Sequence, residues 1–198
     1  MTRPYRMKIR AERQADTHRR ILEAATRLHR TRGPDRTTIS DIARLAGVEP
    51  PTVTRHFPDR VSLVIACLTP GLEQDPPPRP DAWAEIADPE ARLPWALTAV
   101  YRHYRRNRVL LSVMADETNA EFAPVREAGR PMLAHAHAVL AEGWPVSASA
   151  RPRLLTAIAH AFSFWAWVSM ADLDLSDDAA AALMLDMVRG VVNSLNPN

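Results

Sequence analysis

Residues 50–60 read PPTVTRHFPDR, and this stretch carries side chains that can read a nucleic acid. The guanidinium of Arg55 can pair with the acceptor edge of a guanine through two hydrogen bonds. The threonines, Thr52 and Thr54, can offer a hydroxyl to a phosphate or a methyl group to a thymine. Val53 and Phe57 are four residues apart, which is helical spacing, so the stretch predicts a short helix with one apolar side.

The charge distribution favours a polyanion as the partner of the N-terminal part. The 198-residue chain has a formal net charge of only +2. Residues 1–60, however, hold 14 basic residues against seven acids, whereas residues 61–198 hold 11 against 16. This asymmetry predicts two parts, of which the first faces the polyanion. Charge alone leaves open the alternative of a solvated basic surface without a partner.

The composition predicts an all-α protein. The chain has 46% apolar residues, only six glycines and hardly any alternating β-branched runs. It contains no uncharged apolar run of about 18 residues, and its basic N-terminus has no apolar stretch behind it. We therefore expect neither a membrane span nor a signal peptide, and a cytoplasmic location. The single cysteine, Cys67, excludes an internal disulfide and fits a reducing compartment.

Two helices precede the 50–60 stretch. Apolar residues at helical spacing predict a first helix over residues 16–32, which Gly33-Pro34 stops. Thr38-Ile39-Ser40-Asp41 resembles a capping box at the start of a second helix over about 39–46. Gly47 ends this helix, because glycine supplies the positive φ that a sharp turn demands.

The third helix begins at the two prolines. Because a residue that precedes a proline is pushed towards extended geometry, we expect Pro51 at the first helical position and Pro50 outside the helix. Glu49 would then also lie outside it. Pro58-Asp59 ends the third helix and opens a fourth.

The spacing across residues 39–58 is that of a helix-turn-helix. With Ile39 as the first position of a 20-residue window, Ala43 is fifth, Gly47 is ninth and Val53 is fifteenth. The fifth position must be small because the two helices touch there, the ninth must turn, and the fifteenth must be apolar. Together with the capping box and the basic charge, this pattern predicts a DNA-binding helix-turn-helix.

The segment TTISDIARLAGVEPPTVTRHFPDRVSLV, preceded by a helix that ends in RG, resembles the DNA-binding domain of the TetR family of transcriptional regulators. The resemblance covers roughly residues 17–68. It implies a homodimer whose third helices enter successive major grooves, and an effector cavity in a C-terminal helical domain. The terminal stretch SDDAAAALMLDMVRGVV also resembles the last helices of that family, though more weakly.

Carried onto this sequence, the resemblance implies phosphate contacts at the edges of the motif and base contacts on the outward face of the third helix. Thr38 and Arg44 would lie near the DNA backbone, and His56 and Arg60 would touch phosphates. An alternative for His56 is a neutral ring packed against the first helix. The predicted DNA-binding residues are Thr38, Arg44, Pro51, Thr52, Thr54, Arg55, His56 and Arg60.

Two residues depart from the family pattern. The family usually has Ser where this chain has Glu49, and often Tyr where it has Thr54. A carboxylate at position 49 favours the dipole of the third helix but repels a nearby phosphate. We therefore expect weaker or more selective DNA binding than a serine would give.

We expect three segments. Residues 1–15 would form a basic arm, either disordered or lying in the minor groove. Residues 16–69 would form the helix-turn-helix domain, and residues 70–198 a larger helical domain for effector binding and dimerisation. Residues 70–82 hold five of the 17 prolines, so we expect a linker or loop without regular helix there.

The C-terminal part predicts helices over about 89–106, 107–117, 121–143, 152–171 and 176–195. The 152–171 helix is apolar nearly all round, as in a helix buried on more than one side. Its aromatic and methionine side chains can pack as core or line an apolar cavity. By analogy with the family, the candidate ligand-binding residues are Trp95, Tyr104, Met114, Met132, His135, Phe162 and Trp165.

No metal site, cofactor or catalytic centre is expected. His135 and His137 are two residues apart on a helix and point to different sides, unlike the i, i+4 spacing that brings two imidazoles to one metal. No Gly-rich phosphate loop, nucleophile elbow or HExxH motif occurs in the sequence.

The last two predicted helices carry two apolar stripes, one more than a monomer needs. Pairing them with the same helices of a second copy would form a four-helix bundle with two-fold symmetry, which matches a palindromic operator. The sequence thus predicts a ligand-responsive repressor, with activation left open. Two alternatives remain: a non-specific or architectural DNA-binding protein, and a helical small-molecule-binding protein with a vestigial helix-turn-helix.

Overall fold

The structure is a computed structural model that describes residues 3–74 and 76–195. These residues form ten α-helices and two 3₁₀ turns, without a β-strand, which confirms the all-α prediction. The chain divides into two compact units, Met1–Pro76 and Pro77–Asn198. Each unit encloses its own hydrophobic core.

The N-terminal unit holds four α-helices around one small core. They are α1 (Arg3–Arg32), α2 (Ile39–Ala46), α3 (Pro50–His56) and α4 (Arg60–Gln74), with a 3₁₀ turn at Pro34–Arg36 between α1 and α2. One face of α1 contributes Ile21, Ala25 and Leu28 to this core, which also holds Ile42 of α2, Val53 of α3 and Leu63 of α4. The core thus fixes α2 and α3 on the same side of α1.

Helix α1 is longer than the sequence predicted. It begins at Arg3, so the prediction that the arm before residue 16 lies outside the first helix is wrong for residues 3–15. The physical reason is that Pro4 stands in the first turn, where proline is tolerated, and the following residues are mostly good helix formers such as Arg, Lys, Glu, Gln and Ala. Residues 1 and 2 lie outside the described part.

The proline-rich segment is also more helical than predicted. Helix α4 continues to Gln74, so the predicted domain boundary at residues 69/70 falls inside it. A further helix, α5 (Pro80–Ala84), opens with Pro80 in its first turn. A proline inside a helix removes one hydrogen bond, and here that loss does not end α4. The prediction of no regular helix over 70–82 is therefore wrong at both ends.

The C-terminal unit consists of α5 and five longer helices. They are α6 (Pro89–Ala115), α7 (Ala123–Leu140), α8 (Arg151–Ala161), α9 (Phe164–Ala171) and α10 (Asp177–Leu195), with a 3₁₀ turn at Ala120–Phe122 before α7. Helix α10 packs against both α6 and α8. Its core buries Trp83, Leu97, Tyr101, Leu154 and Trp167 almost completely.

Helix α6 joins two helices that the sequence predicted separately. It runs through residue 107, but Asn107 has non-helical dihedrals of φ −113° and ψ 15°. The Nδ2 atom of Asn107 donates to the carbonyl oxygen of His103 at 3.1 Å. Asparagine competes in this way for backbone hydrogen bonds, which is why the predicted break at 106/107 is present as a kink.

The predicted helix over 152–171 is divided into α8 and α9. Ser163 lies between them with extended dihedrals, φ −68° and ψ 133°, and its hydroxyl caps α9 at the amide of Ala166. The axes of the two helices differ by 50°. Among the described residues no single helix is long and apolar enough to cross a membrane, and α8 and α9 reach such a composition only together.

A buried arginine that the sequence did not single out joins three segments of the C-terminal unit. Arg92 of α6 is only 4% exposed. Its guanidinium donates to the carbonyl oxygens of Ile86 at 2.7 Å, Ala87 at 3.0 Å, Val139 at 2.6 Å and Glu142 at 3.1 Å. These bonds satisfy carbonyls at the C-terminal end of α7 and in the loop that leads into α6.

Candidate DNA-binding site

Helices α2 and α3 meet through a tight turn at Gly47. This residue has φ 66° and ψ 43°, the left-handed conformation that glycine adopts without strain. The amide of Val48 donates to the carbonyl oxygen of Ala43 at 3.0 Å. Ala43 and Val53, the small and apolar positions of the motif, are 1% and 0% exposed. The helix-turn-helix is therefore closed by the contacts that its spacing predicts.

An arginine from α1 holds this turn. The guanidinium of Arg20 donates to the carbonyl oxygens of Ala46 and Gly47, the latter at 2.9 Å. These carbonyls belong to the C-terminal end of α2 and to the turn, where no helical partner exists. A Cβ atom at position 47 would lie 2.9 Å from Nη2 of Arg20. Sequence reasoning missed Arg20 because no local pattern links it to residues 26 and 27 positions away.

The N-terminal end of α2 carries the predicted capping box. The hydroxyl of Thr38 accepts from the amide of Asp41 at 3.1 Å and donates to Oδ2 of the same residue at 2.8 Å. The hydroxyl of Thr38 and its backbone amide, which also donates to Oδ2 at 3.4 Å, hold the pKa of Asp41 below its usual value. Oδ1 of Asp41 accepts from Nη2 of Arg44 at 2.5 Å. Thr38 and Arg44 therefore lie together around one carboxylate.

Helix α3 begins one residue earlier than predicted. Glu49 is the N-cap residue with extended dihedrals, and both Pro50 and Pro51 lie in the first helical turn, so Pro50 is not outside the helix. The first-turn amides of a helix have no helical partner, so two residues without an N–H lose nothing there. The side chain of Glu49 makes no capping hydrogen bond. Its backbone carbonyl accepts from the amide of Thr52 at 2.8 Å.

The outward face of α3 presents Pro51, Thr54 and Arg55 to solvent, with Thr52 half-exposed beside them. The hydroxyl of Thr54 donates to the carbonyl oxygen of Pro51 at 3.2 Å. Within the described residues, the guanidinium of Arg55 has neither a hydrogen-bond acceptor nor an ion-pair partner. All five of its N–H donors are therefore available to a ligand.

His56 packs against α1. Its ring meets the ring of His18 edge-on, with centroids 5.8 Å apart, and His18 in turn lies 4.8 Å from Phe57. Burial, followed by the nearby His18 and Arg55, lowers the pKa of His56. This is the geometry of the alternative that the sequence left open, a neutral ring against the first helix. The ring remains half-exposed at the end of α3.

Arg60, at the start of α4, lies near one acid and one buried histidine. Its guanidinium forms an ion pair with Asp35 in the 3₁₀ turn after α1. His29 of α1 is only 2% exposed, and its burial, together with the charge of Arg60, lowers its pKa to about 4. A neutral His29 adds no positive charge beside Arg60. The predicted phosphate-binding residues Arg44 and Arg60 thus each have an acidic partner that orients them.

The candidate ligand-binding residues of the C-terminal unit are only partly brought together. The hydroxyl of Tyr104 donates to the carbonyl oxygen of Phe162 at 2.8 Å, so these two residues share one site. Met114 is half-buried, and the indole of Trp165 donates to the carbonyl oxygen of the adjacent Ala115 at 3.0 Å. The side chains of Trp95, Met132, His135 and Trp165 are exposed at the surface.

The structure also separates the two neighbouring histidines of α7. His135 lies at the surface, with Nε2 3.3 Å from Oδ1 of Asp81. His137 is half-buried, its ring centroid lies 5.4 Å from that of Phe162, and burial lowers its pKa. The histidine beside Phe162 is thus His137, which spacing alone could not distinguish from His135. No group of three or more potential metal ligands lies together in the described part of the chain.

Comparison with known proteins finds similarity to one family within the N-terminal unit. Residues 21–67 match the family described as bacterial regulatory proteins, tetR family. An uncharacterized HTH-type transcriptional regulator of Mycobacterium tuberculosis H37Rv is 36% identical over 107 residues, which cover 52% of this chain and 53% of that protein. An uncharacterized HTH-type regulator of Mycobacterium bovis is 48% identical over 56 residues, 28% of this chain and 30% of that protein. The matches thus span about half or less of these relatives.

Solved structures share the fold over most of the chain. NalD, described as the secondary repressor of the MexAB-OprM multidrug efflux pump in Pseudomonas aeruginosa, has a TM-score of 0.58 and 21% identity, over 91% of this chain and 97% of NalD. AibR, solved with isovaleryl coenzyme A and operator DNA, has a TM-score of 0.55 and 18% identity, over 86% of this chain and 97% of AibR. At these identities the likeness establishes the fold alone.

The contact between Arg20 and the turn predicts a specific loss of stability. In Arg20→Met the carbonyl oxygens of Ala46 and Gly47 lose their charged donor, so we expect the free energy of unfolding of the N-terminal unit to fall by about 1–3 kcal/mol. Hydrogen exchange should accelerate at α2 and α3, as measured by mass spectrometry. The matched control is Arg19→Met, which removes only exposed ion pairs with Asp16 and Glu23 and should cost less than about 1 kcal/mol. Equal losses in both variants would contradict this role of Arg20.

Proposed function

We propose that this chain, whose residues 21–67 match the tetR family and whose fold resembles those of NalD and AibR, is a cytoplasmic transcription regulator. It binds a palindromic operator as a homodimer and releases the DNA when a small molecule binds the C-terminal unit. The observation that carries the proposal is the outward face of α3, where unpaired Arg55 stands beside Thr54 on a helix fixed by Gly47 and Arg20.

Base reading is assigned to α3. A helix of this kind enters the major groove, which admits an α-helix and presents a distinct donor and acceptor pattern for each base pair. Arg55 pairs with a guanine, and Thr54 contacts a thymine methyl group or a phosphate. Pro51 and Thr52 approach the duplex at the start of the same helix.

Phosphate binding is assigned to the edges of the motif, at Thr38, Arg44, His56 and Arg60. Arg44 and Arg60 are paired with Asp41 and Asp35, but an arginine has five N–H donors and can bind a carboxylate and a phosphate together. The carboxylates keep these side chains in place before DNA arrives, which reduces the entropy lost on binding.

Dimerisation is assigned chiefly to the exposed side of α10. One side of this helix buries Leu185, Val188 and Val192 in the core of its own unit. The other side leaves Leu183 and Met187 43% and 50% exposed. Pairing this apolar stripe with its copy buries it and gives the two-fold symmetry that a palindromic operator requires. Half-sites read by such a dimer are about 34–36 Å apart.

The effector is a largely apolar small molecule that binds between α5, α6, α7 and the end of α8. Aromatic side chains from these elements meet around Phe162, whose ring centroid lies 5.9 Å from Trp83 and 5.4 Å from His137. Tyr104 and His137 supply the few polar groups that orient a ligand in such a site. The ligand shifts the DNA affinity only as far as it prefers one conformation of the protein over the other. Repression is the mode stated for NalD, and AibR was solved with a coenzyme A ester and operator DNA.

The first prediction of this proposal concerns sequence-specific DNA binding. Selection from a pool of random duplexes should yield one preferred operator with two-fold symmetry. Arg55→Ala should lower the affinity for that operator by about 1–3 kcal/mol in a fluorescence anisotropy titration, and relax the choice at a single base pair of each half-site. The control is Arg79→Ala, which removes an exposed arginine outside the motif and should leave the affinity unchanged. Binding without any sequence preference would instead indicate an architectural protein, and no binding a vestigial motif.

The second prediction concerns Glu49. Glu49→Ser removes a carboxylate from the start of α3 and should strengthen operator binding, with the larger gain at low salt, where charge repulsion is least screened. Thermal stability should change little, because Pro50 and Pro51 offer no N–H to a capping hydroxyl. Titrations at two salt concentrations and a melting curve of each protein make the comparison. Equal DNA affinities of the wild type and the variant would refute the repulsion.

The third prediction concerns the dimer. The double variant Leu183→Lys/Met187→Lys places two charges on the exposed stripe of α10 and should convert the dimer into a monomer in analytical ultracentrifugation. Operator affinity should fall with it, since the two half-sites are then bound independently. The control is Ala182→Lys, an exposed position about 100° away around the helix. A double variant that remains dimeric would exclude this face as the interface.

A further inference from the structure

The first turns of α1 extend beyond the hydrophobic core of the N-terminal unit. The helix meets α3 at His18, whose ring contacts the rings of His56 and Phe57. Before that point, the side chains of residues 10–16 are all exposed, although the backbone is helical from Arg3. We call residues 3–16 of α1 the N-terminal projection. At 1.5 Å per residue it is about 20 Å long.

Arg10 and Arg13 of the projection lie on the side of α1 that, later in the helix, is buried in the core of the N-terminal unit. Arg10 stands 18 residues before Leu28, and this spacing is five whole turns of an α-helix. Arg13 stands 11 residues before Ala24, about three turns. Leu28 and Ala24 are buried in the core that α1 shares with α2, α3 and α4. The two arginines therefore extend the same face of α1 beyond His18, where α1 meets the end of the recognition helix α3.

The acids of the projection are directed away from Arg10 and Arg13 or are paired with other arginines. Glu12 is two residues from Arg10, which places it about 160° away. Asp16 is only about 60° from Arg13 around the helix, but its carboxylate accepts from Arg19 at 2.5 Å and lies 3.9 Å from Nη1 of Arg20. In the described part of the chain Arg10 and Arg13 have no acidic partner. The sequence repeats their spacing upstream with Arg3 and Arg6.

We propose that the N-terminal projection binds the phosphate backbone of the duplex that flanks each half-site, outside the base pairs that α3 reads. The inference rests on the proposed function, since it needs α3 in the major groove. Its occupant is the phosphodiester chain, which is the polyanion that an isolated row of arginines on a rigid helix fits. The contact adds affinity and length to the binding site without adding sequence specificity.

The helical state of the projection excludes the minor groove as its site. An α-helix with its side chains is about 10–12 Å wide, whereas the minor groove of B-DNA is about 6 Å wide. A flexible arm can enter that groove, but a helix lies across its rims on the phosphates. Because the helix is already formed, binding does not have to supply the entropy of ordering an arm.

The test compares salt dependence on two duplexes, one trimmed to the half-sites and one with ten extra base pairs on each side. Each phosphate contact contributes about 0.9 to the slope of log affinity against log salt. Because a dimer carries four of these arginines, Arg10→Gln/Arg13→Gln should lower the slope on the long duplex by about 3.6, so that the wild type loses about 150-fold more affinity than the variant between 50 and 200 mM salt. On the trimmed duplex the two proteins should have the same slope. The probe is the selected operator, or a random duplex of the same lengths if no operator is selected.

A matched control removes the same charge from the opposite side of α1. Lys8→Gln/Arg19→Gln should keep the slope of the wild type, because Arg19 lies 180° from Leu28 and Lys8 about 160° from Arg10. Circular dichroism should show the same helix content in all three proteins. Equal slopes of the wild type and Arg10→Gln/Arg13→Gln on the long duplex would overturn the inference, as would equal losses in both double variants.

Replacing A·T by G·C pairs in the flanks separates this contact from a minor-groove arm. Phosphate binding predicts unchanged affinity, whereas a large loss would show that the projection unwinds and reads the minor groove, against the inference. A wild type without sequence preference would refute the proposed function. A wild type that selects an operator while Arg10→Gln/Arg13→Gln keeps its slope would refute only the role of the projection.

Discussion

The angle between α2 and α3 depends on one residue in the left-handed conformation and one guanidinium. Gly47 turns the chain, and Arg20 of α1 binds the carbonyl oxygens that this turn leaves without helical partners. A larger residue at position 47 would meet both constraints at once, because its φ would be strained and its Cβ would contact Arg20. The orientation of Arg55 on α3 follows from this geometry. The outward face of α3 is thus oriented by a residue of another helix, Arg20 of α1.

Two acidic residues of the N-terminal unit hold the arginines at the edges of the helix-turn-helix in place. Asp41 binds Thr38 and Arg44, and Asp35 binds Arg60, so the arginines at the edges of the motif are held while Arg55 at its centre is not. An exposed ion pair contributes little to stability, so these carboxylates matter mainly for position. His29 belongs to the same arrangement, because burial keeps it neutral next to Arg60. Among the described residues, Arg44 and Arg60 at the edges of the motif are therefore less free to move than Arg55 at its centre.

Local patterns in the sequence predict the helix-turn-helix, its capping box and a break before Asn107, which is present as a kink, because each depends on residues within a few positions of one another. Long-range contacts left no such pattern. Arg20 and Arg92 act on carbonyl oxygens that are distant in sequence, and His137 was indistinguishable from His135 until α7 was placed against Phe162. Two predictions about prolines are wrong. The sequence predicts no regular helix from Pro70 onward, but α4 continues to Gln74. It places Pro50 outside α3, whereas Pro50 lies in the first turn of that helix.

The pair Pro50-Pro51 also explains why a glutamate can stand where the family that this motif resembles usually has serine. A capping hydroxyl stabilises a helix by accepting from the amide of its second or third residue. In α3 the second residue is Pro51, which has no N–H, and the amide of the third, Thr52, already donates to the carbonyl oxygen of Glu49. A serine at position 49 would find no unused donor in the first turn. The stability of α3 therefore depends little on the side chain at position 49. In the proposed function, the charge that this side chain presents to DNA becomes the stronger constraint on its identity.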